Sequence, residues 1–468
     1  MFSWQALTED QIHQIQRASE DVLERSGFKV LDEAALTVCR KAGAEVDAAA
    51  GRVRLPRELL RELVHQAPGS YTVTGLDGLQ RRIGAGETWG FAITNDPWVI
   101  DYPTQRPRRP RSDDVRRNTI IGQRLEHVLG MSCMDFPVSD WPGPHANLRA
   151  LEVHLLAHAK HNFVLPTSVE SMHRWLQIGR ILARGKELRG SSLLTVGVPS
   201  LTPLTVTGAN VELIRIACAH ELPVVPTVCP TAGMTSPYSM AGTLVLGNAE
   251  MLFMLALVQL HRRGHPFMAS LGPAVADMRN GASLYYTLDK VLWKAAYLQL
   301  AKSYGLPAVA ECGGAMVHRF DQQSGAEGML FMLSAVAGGA DLLAGFGSTY
   351  NAVGHSTEMM LIQDAWLAAA KFLRRGIDCS QQQLAVDAIV RMGPGGQYLT
   401  DELTLKYLRA RQFFAHELFD LSADSAGSQS LLERAHEKAE TLVADFTSPV
   451  PGDVQEELRR FFREATTS

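Results

Sequence analysis

The sequence predicts a (β/α)8 TIM barrel of the α/β class, with an N-terminal helical and small β region and a C-terminal helical extension. Three observations lead there. The chain has 468 residues, enough for one barrel with additions. Between about residues 116 and 403, short apolar runs alternate with helical patterns. The runs fall near Val128, Asn162, Ser192, Pro223, Pro266, Pro307, Asp341 and Ala388, about 30 to 47 residues apart. Eight βα units of that length suit a barrel, whereas an open doubly wound sheet usually uses fewer.

Residues 1–115 form the N-terminal region. Thr8 is placed to cap a helix reaching about Ser26, and Leu31 to Lys41 and Pro56 to Gln66 carry apolar residues at helical spacing, Pro56 suiting a first turn. From Tyr71 to about Tyr102 the pattern turns to strands separated by glycine turns, Tyr71 to Thr74, Arg82-Ile83 and Trp89 to Ile100. Within 116–403 the crossover helices are Met172 to Arg184, Val206 to His220, Ser239 to Arg263, Leu284 to Tyr304, Glu327 to Ala337 and Thr357 to Arg375. The eighth strand falls at Ala388 to Arg391, with Gly393-Pro394-Gly395-Gly396 as a sharp turn leaving it. Residues 404–468 read as helical and charged.

Composition narrows the function classes. With 46% hydrophobic and 20% charged residues and a net charge of −4, neither bulk disorder nor a nucleic-acid-coating protein fits. The opening residues lack the basic and apolar regions of a secretory signal, so the cytoplasm is expected. The apolar stretch Met251 to Leu260 is bounded by polar residues and reads as a buried helix, so no membrane partner is expected. Six scattered cysteines without a CxxC pair read as free thiols. Arg106, Arg108, Arg109 and Arg111 form the dense basic cluster, suited to phosphate, an acidic partner surface or a solvated rim.

Chemistry in a barrel sits where strands end. The segments after the runs are rich in glycine, proline, aromatic and small hydroxyl residues, which describes a shaped cavity better than a hydrolytic triad. Glu311 is the exception: it ends the apolar run Ala308-Val309-Ala310, and a buried carboxylate needs a cationic partner, a bound cation or a structural Arg. Cys229, Cys312, His355 and Glu311 are also zinc-type ligands, though without a zinc spacing. Trp89, Phe91, Trp98, Phe346 and Tyr350 lie in loops or strand ends, where rings either pack the β region onto the barrel or hold a quaternary ammonium by cation–π attraction.

Several segments resemble the trimethylamine methyltransferase family. Gly305-Leu306-Pro307, Gly313-Gly314 and Asp321-Gln322-Gln323-Ser324-Gly325-Ala326-Glu327 resemble its GLP…G…DxQxGxE signature. Ser356-Thr357-Glu358, and Gly393-Pro394-Gly395-Gly396 with Tyr398-Leu399 and Thr404, resemble its downstream elements, and Asp101-Tyr102-Pro103-Thr104 with Arg108 to Pro110 its segment before the barrel. The likeness spans nearly the whole chain.

The resemblance implies a barrel that moves a methyl group from a quaternary or tertiary amine to the Co(I) of a corrinoid (cobalamin) carried by a separate corrinoid protein, with none permanently bound. It implies orientation of the amine rather than supply of a nucleophile. The branch acting on trimethylamine carries pyrrolysine; here His318 stands near that place, so a quaternary amine is the expected substrate. An Arg that betaine-acting members carry after GLP is replaced by Ala308-Val309-Ala310-Glu311, which points away from glycine betaine, or to a carboxylate met by Arg319 or another base. The expected site is therefore Trp89, Phe91, Trp98, Phe346 and Tyr350 as cage walls, Glu311 as counter-charge, and His318, Asp321, Gln323 and His355 as polar groups at the reacting end, with no metal ligands. Glu311→Gln is expected to weaken binding more than folding. A zinc-dependent methyltransferase of thiols or alcohols and a non-catalytic quaternary-amine binder are the competing readings, and a homo-oligomer is compatible with the sequence.

Overall fold

The computed structural model describes residues 4–422 and 429–467. Its centre is a seven-stranded parallel sheet: β1 (Trp89–Ile93), β2 (Val128–Ser132), β3 (His161–Val164), β4 (Leu194–Pro199), β5 (Val224–Thr227), β6 (Val309–Glu311) and β7 (Leu342–Phe346), in the spatial order β5-β4-β3-β2-β1-β7-β6. Between the two edge strands lies the 266–269 segment. Met268 N–H donates to Val224 O at 3.0 Å, and Val309 N–H donates to Ala269 O at 3.0 Å, so the segment bridges β5 and β6 in parallel.

Two expectations are corrected. Trp89–Ile93, assigned from its glycine-flanked alternation to the N-terminal β region, sits in the middle of the sheet between β2 and β7. Val386–Met392, expected as the eighth strand, is a surface helix that leaves Val386 and Val390 exposed, so the Gly393 turn leaves a helix. The sheet accordingly draws its strands from residues 89–346 rather than from 116 onward.

The helices follow the predicted spacing closely. Thr8 caps Glu9–Asp21 in a reciprocal arrangement with Gln11, and five residues of π-helix carry it to Ser26. Pro56 is the N-cap of Arg57–Gln66. The crossover helices include Val169–Leu182, Gly208–Ala219, Met240–His261, Leu288–Ser303, Gln322–Gly338 and Thr357–Arg374. Met240–His261 is long and apolar enough to cross a membrane, and it is mostly buried here, packed against Glu9–Asp21 and Arg57–Gln66.

The hairpin Tyr71–Thr74/Gln80–Ile83 closes the N-terminal end of the sheet. Its Tyr71, Val73 and Ile83 pack with Leu129, Phe163, Met268, Val309 and Leu342 into one apolar cluster. Burying these side chains contributes roughly 1.5–3 kcal/mol each. With that end plugged, the open end is the one at the strand C-termini. There the small sheet Ser348–Thr349, Gly354–His355, Trp98–Asp101 and Arg106–Arg108 lies beside β1 and β7.

Candidate active site

A cavity of about 480 Å³ occupies the C-terminal end of the sheet. Phe91 and Ile93 of β1, Phe163 of β3, Thr227 of β5 and Glu311 of β6 line it, as do Tyr285 and Tyr286, which precede the Leu288–Ser303 helix. Phe91 stacks on Phe163 with ring centroids 4.6 Å apart.

The charged centre is a carboxylate between two lysines. Glu311 Oε1 lies 3.1 Å from Lys290 Nζ and Oε2 lies 2.9 Å from Lys294 Nζ, and Tyr285 Oη donates to Oε1 at 3.0 Å. The side chains are 8%, 0% and 4% exposed for Glu311, Lys290 and Lys294. Lys290 and Lys294 stand one turn apart on Leu288–Ser303, so both reach the same carboxylate. Burial alone would raise the Glu311 pKa, but the two ammonium groups hold it down at about 2. Burial lowers Lys290 to about 7, partly opposed by Glu311, and its Nζ lies over the Tyr285 ring. Lys294 also donates to Leu271 O.

Glu311 is thus neutralised from within the protein, which corrects its expected role as free counter-charge to a cation. With both lysines protonated the cluster carries one net positive charge. Cys229 is exposed to this cavity, and burial pushes its thiol pKa up, against the pull of Lys290 and Lys294. Gly272 makes room: a Cβ there would lie 2.9 Å from Tyr285 Oη and 3.2 Å from Cys229 Sγ.

Of the aromatic residues expected as cage walls, Phe91 lines the cavity. Trp89 faces the opposite end of the sheet, near Lys371, with its ring 5.6 Å from the ammonium. Trp98 lies under the Arg109 guanidinium at 4.0 Å. Phe346 is fully buried against Gly90 on the helix-facing side, and Tyr350 meets His318 edge-on at 5.2 Å. These four are corrections, and their common cause is strand alternation and loop direction, which spacing alone does not reveal.

The expected polar groups also lie outside the cavity. Asp321 caps Gln322–Gly338 by accepting from Ser324 N at 3.1 Å, and it pairs with Arg319. Gln323 donates to Glu327, which in turn accepts from Met316 N at 2.9 Å. His355 is buried beside Gly347, and burial lowers its pKa to about 4. The DxQxGxE motif is therefore a brace for the 312–321 loop. That loop brings Gly314 against the Tyr286 ring, where a Cβ would come within 2.3 Å. Likewise Ser356 caps Thr357–Arg374, and Glu358 accepts from His436 at 2.9 Å, tying the C-terminal extension to the helix that follows β7.

Cys312 is fully buried and, with His355, lies away from Cys229. Among the described residues no three His, Cys, Asp or Glu side chains converge to hold a metal ion, so the donors weighed for zinc do not form a set. Arg108 of the basic cluster pairs with Asp101 at 2.9 Å and Asp114 at 2.7 Å, a structural role. The signal that sequence reasoning passed over was Lys290 and Lys294, two cations at i, i+4 in a helix otherwise apolar enough for the core.

The family model for trimethylamine methyltransferase (MTTB) matches residues 2–468. The chain belongs to the trimethylamine methyltransferase family. Within that family, the trimethylamine methyltransferase MttB of Desulfitobacterium hafniense (strain DSM 10664 / DCB-2) is 24% identical over 99% of this chain and 94% of that protein. A glycine betaine methyltransferase of Desulfitobacterium hafniense (strain Y51) is 26% identical over 98% of this chain and 96% of that protein. Among solved structures, the monomethylamine methyltransferase MtmB of Methanosarcina barkeri matches with a TM-score of 0.53 at 12% identity, over 95% of this chain and 88% of that one. This likeness bears on the fold alone.

Proposed function

We propose that this member of the family transfers a methyl group from a carboxylate-bearing quaternary amine, a betaine, to the Co(I) corrinoid of a partner protein. The observation that carries the reading is the cavity-lining carboxylate of Glu311 paired with two buried lysines, of which Lys294 itself lines the wall and Lys290 stands behind it. With both lysines protonated, that end of the cavity carries a net positive charge, which disfavours a bare cation there and favours a ligand that brings its own anion. The relative named for glycine betaine supports the same class. The sheet and its bridging 266–269 segment support a complete (β/α)8 barrel, with that segment as the remaining strand.

In this reading the substrate carboxylate meets Lys294, with Lys290 adding its charge from behind Glu311, and the methylated nitrogen lies against Phe91 and Phe163. The C–N bond breaks with its electron pair going to nitrogen, and the cobalt pair forms the new C–Co bond, taking Co(I) formally to Co(III). The product nitrogen leaves neutral, so no proton donor is needed. The protein contributes orientation and exclusion of water. At about 480 Å³ the cavity takes an amine of this size but not a corrin ring, so the acceptor stays on its own protein. Exposed Leu201, Met234, Tyr238 and Met278 follow the strand ends and supply an apolar rim for that docking.

The test is spectrophotometric: purified protein with free cob(I)alamin and, separately, glycine betaine, proline betaine, carnitine, choline and trimethylamine, followed for methylcobalamin. Methyl transfer from a betaine and none from choline or trimethylamine is expected. Transfer from choline or trimethylamine in preference to every betaine refutes the reading.

A further inference from the structure

Asp96 lies on the loop after β1, is 4% exposed and lines the cavity, and its Oδ2 has no hydrogen-bond partner. A buried carboxyl oxygen left unpaired is costly and asks for an explanation. The loop around it is held on both sides. Asn118 Nδ2 donates to Thr94 O at 3.1 Å, Asn95 Nδ2 donates to Phe136 O at 2.7 Å, and Arg109 donates to Pro97 O at 3.1 Å. The backbone is anchored at 94, 95 and 97, and the carboxyl between them is left facing the cavity.

Its position relative to the lysines follows from the sheet order. Glu311 ends β6 and Asp96 follows β1, with β7 between them. Two strand spacings amount to roughly 10 Å. The cavity is thus polarised, with a surplus of positive charge at the Lys290–Lys294 end and an unpaired carboxyl at the other.

We propose that Asp96 receives the quaternary ammonium of a short zwitterionic substrate whose carboxylate is held at the Lys294 end, making Asp96 the residue that selects for the cationic end. This rests on the betaine reading above and deepens it. Strands about 10 Å apart suit a ligand with only a few atoms between ammonium and carboxylate. Burial pushes the carboxyl pKa well above the usual range, and an ammonium beside it supplies the counter-charge that favours the ionised form, the proton passing to solvent. Tyr285, Tyr286, Cys229, Glu311 and Lys294 are the other titratable groups lining the cavity, and the Tyr286 hydroxyl feels both Asp96 and Glu311.

The test is calorimetric binding of glycine betaine and of 3,3-dimethylbutanoate, its isostere with carbon in place of the charged nitrogen, to the wild-type protein, Asp96→Asn and Asp96→Ser. The wild type is expected to prefer the zwitterion by on the order of 30-fold, the equivalent of ~2 kcal/mol for a buried charge pair. Both variants are expected to lose most of that preference, keeping the part that Phe91 and Phe163 supply, with affinity for the isostere unchanged. Retention of the preference by both variants overturns the role of Asp96 alone. Equal loss of both ligands in variants that melt like the wild type overturns it as well, since it marks a structural residue. A wild type that binds neither compound overturns the betaine reading beneath it, and the proposal with it.

Discussion

Replacing Glu311 with Gln removes one negative charge from between two buried ammonium groups and leaves the shape unchanged. Two routes give the magnitude. The carboxyl is held at about 2 against an ordinary value of 4.5, and at about 1.4 kcal/mol per pKa unit that is about 3 kcal/mol. Breaking a buried pair by removing one partner costs roughly 3–5 kcal/mol. Because the folded-state pKa is depressed, this stability is fully present above 4.5 and is lost as pH falls toward 2. At pH 6 the variant should therefore unfold with about 3 kcal/mol less free energy. At pH 9 the loss should shrink by about 1 kcal/mol or more, because Lys290, already near 7 with Glu311 present, sheds its proton and relieves the uncompensated charge. Urea unfolding followed by tryptophan fluorescence at the two pH values reads both numbers. A loss under about 1 kcal/mol at pH 6, or an equal loss at both, refutes the reasoning. The sequence-based expectation, that this change affects binding more than folding, is reversed by the lysines.

Three further outcomes are expected. Betaine affinity should fall above pH 7 as Lys290 loses the proton that adds positive charge behind Glu311, and Lys290→Met should remove that fall; calorimetric titration from pH 7 to 9 checks both. Gly314→Ala should lower methyl transfer at least tenfold, because the new Cβ would come within 2.3 Å of the Tyr286 ring and displace it from the cavity wall; the near-UV spectrum and the transfer rate report the shift and its effect. His318→Ala and Gln323→Ala should leave the transfer rate within about twofold, since neither side chain reaches the cavity, and a tenfold loss in either would return it to the site.

Much of the fold is legible because helical spacing and caps are local properties. Thr8, Asp321 and Ser356 each mark a helix start where the structure has one. The runs near Val128 to Asp341 each fall at a strand or at the bridging segment. The first strand was missed because no crossover helix precedes it and the Trp98–Asp101/Arg106–Arg108 hairpin separates it from the next helix, Ser112–Arg124, so its alternation looked like part of a hairpin region. Val386–Met392 was misread because a short apolar run does not by itself separate strand from helix.

The site was less legible, for a different reason. Glu311 announced itself by its cost of burial, but its partners lie 21 and 17 positions earlier on another element, and only the packing of Leu288–Ser303 brings them together. Rings near strand ends are ambiguous until the fold assigns each a face, as Phe91 and Phe346 show by pointing to opposite sides of the same sheet. The family motif drew attention to Asp321, Gln323 and Glu327, which shape the loop behind Tyr286 rather than touch the cavity.

The central claim is that Lys294, backed by Lys290, holds a betaine carboxylate while the methyl group leaves its nitrogen. The measurement that tests it most directly is a single turnover with glycine betaine carrying deuterated methyl groups and excess Co(I) corrinoid, with deuteromethyl-cobalt and the demethylated amine quantified by mass spectrometry. The account predicts equimolar amounts of the two from the wild type and at least a tenfold slower turnover in Lys294→Met at unchanged cobalt concentration. Turnover of the betaine by Lys290→Met and Lys294→Met at the wild-type rate and affinity would contradict it.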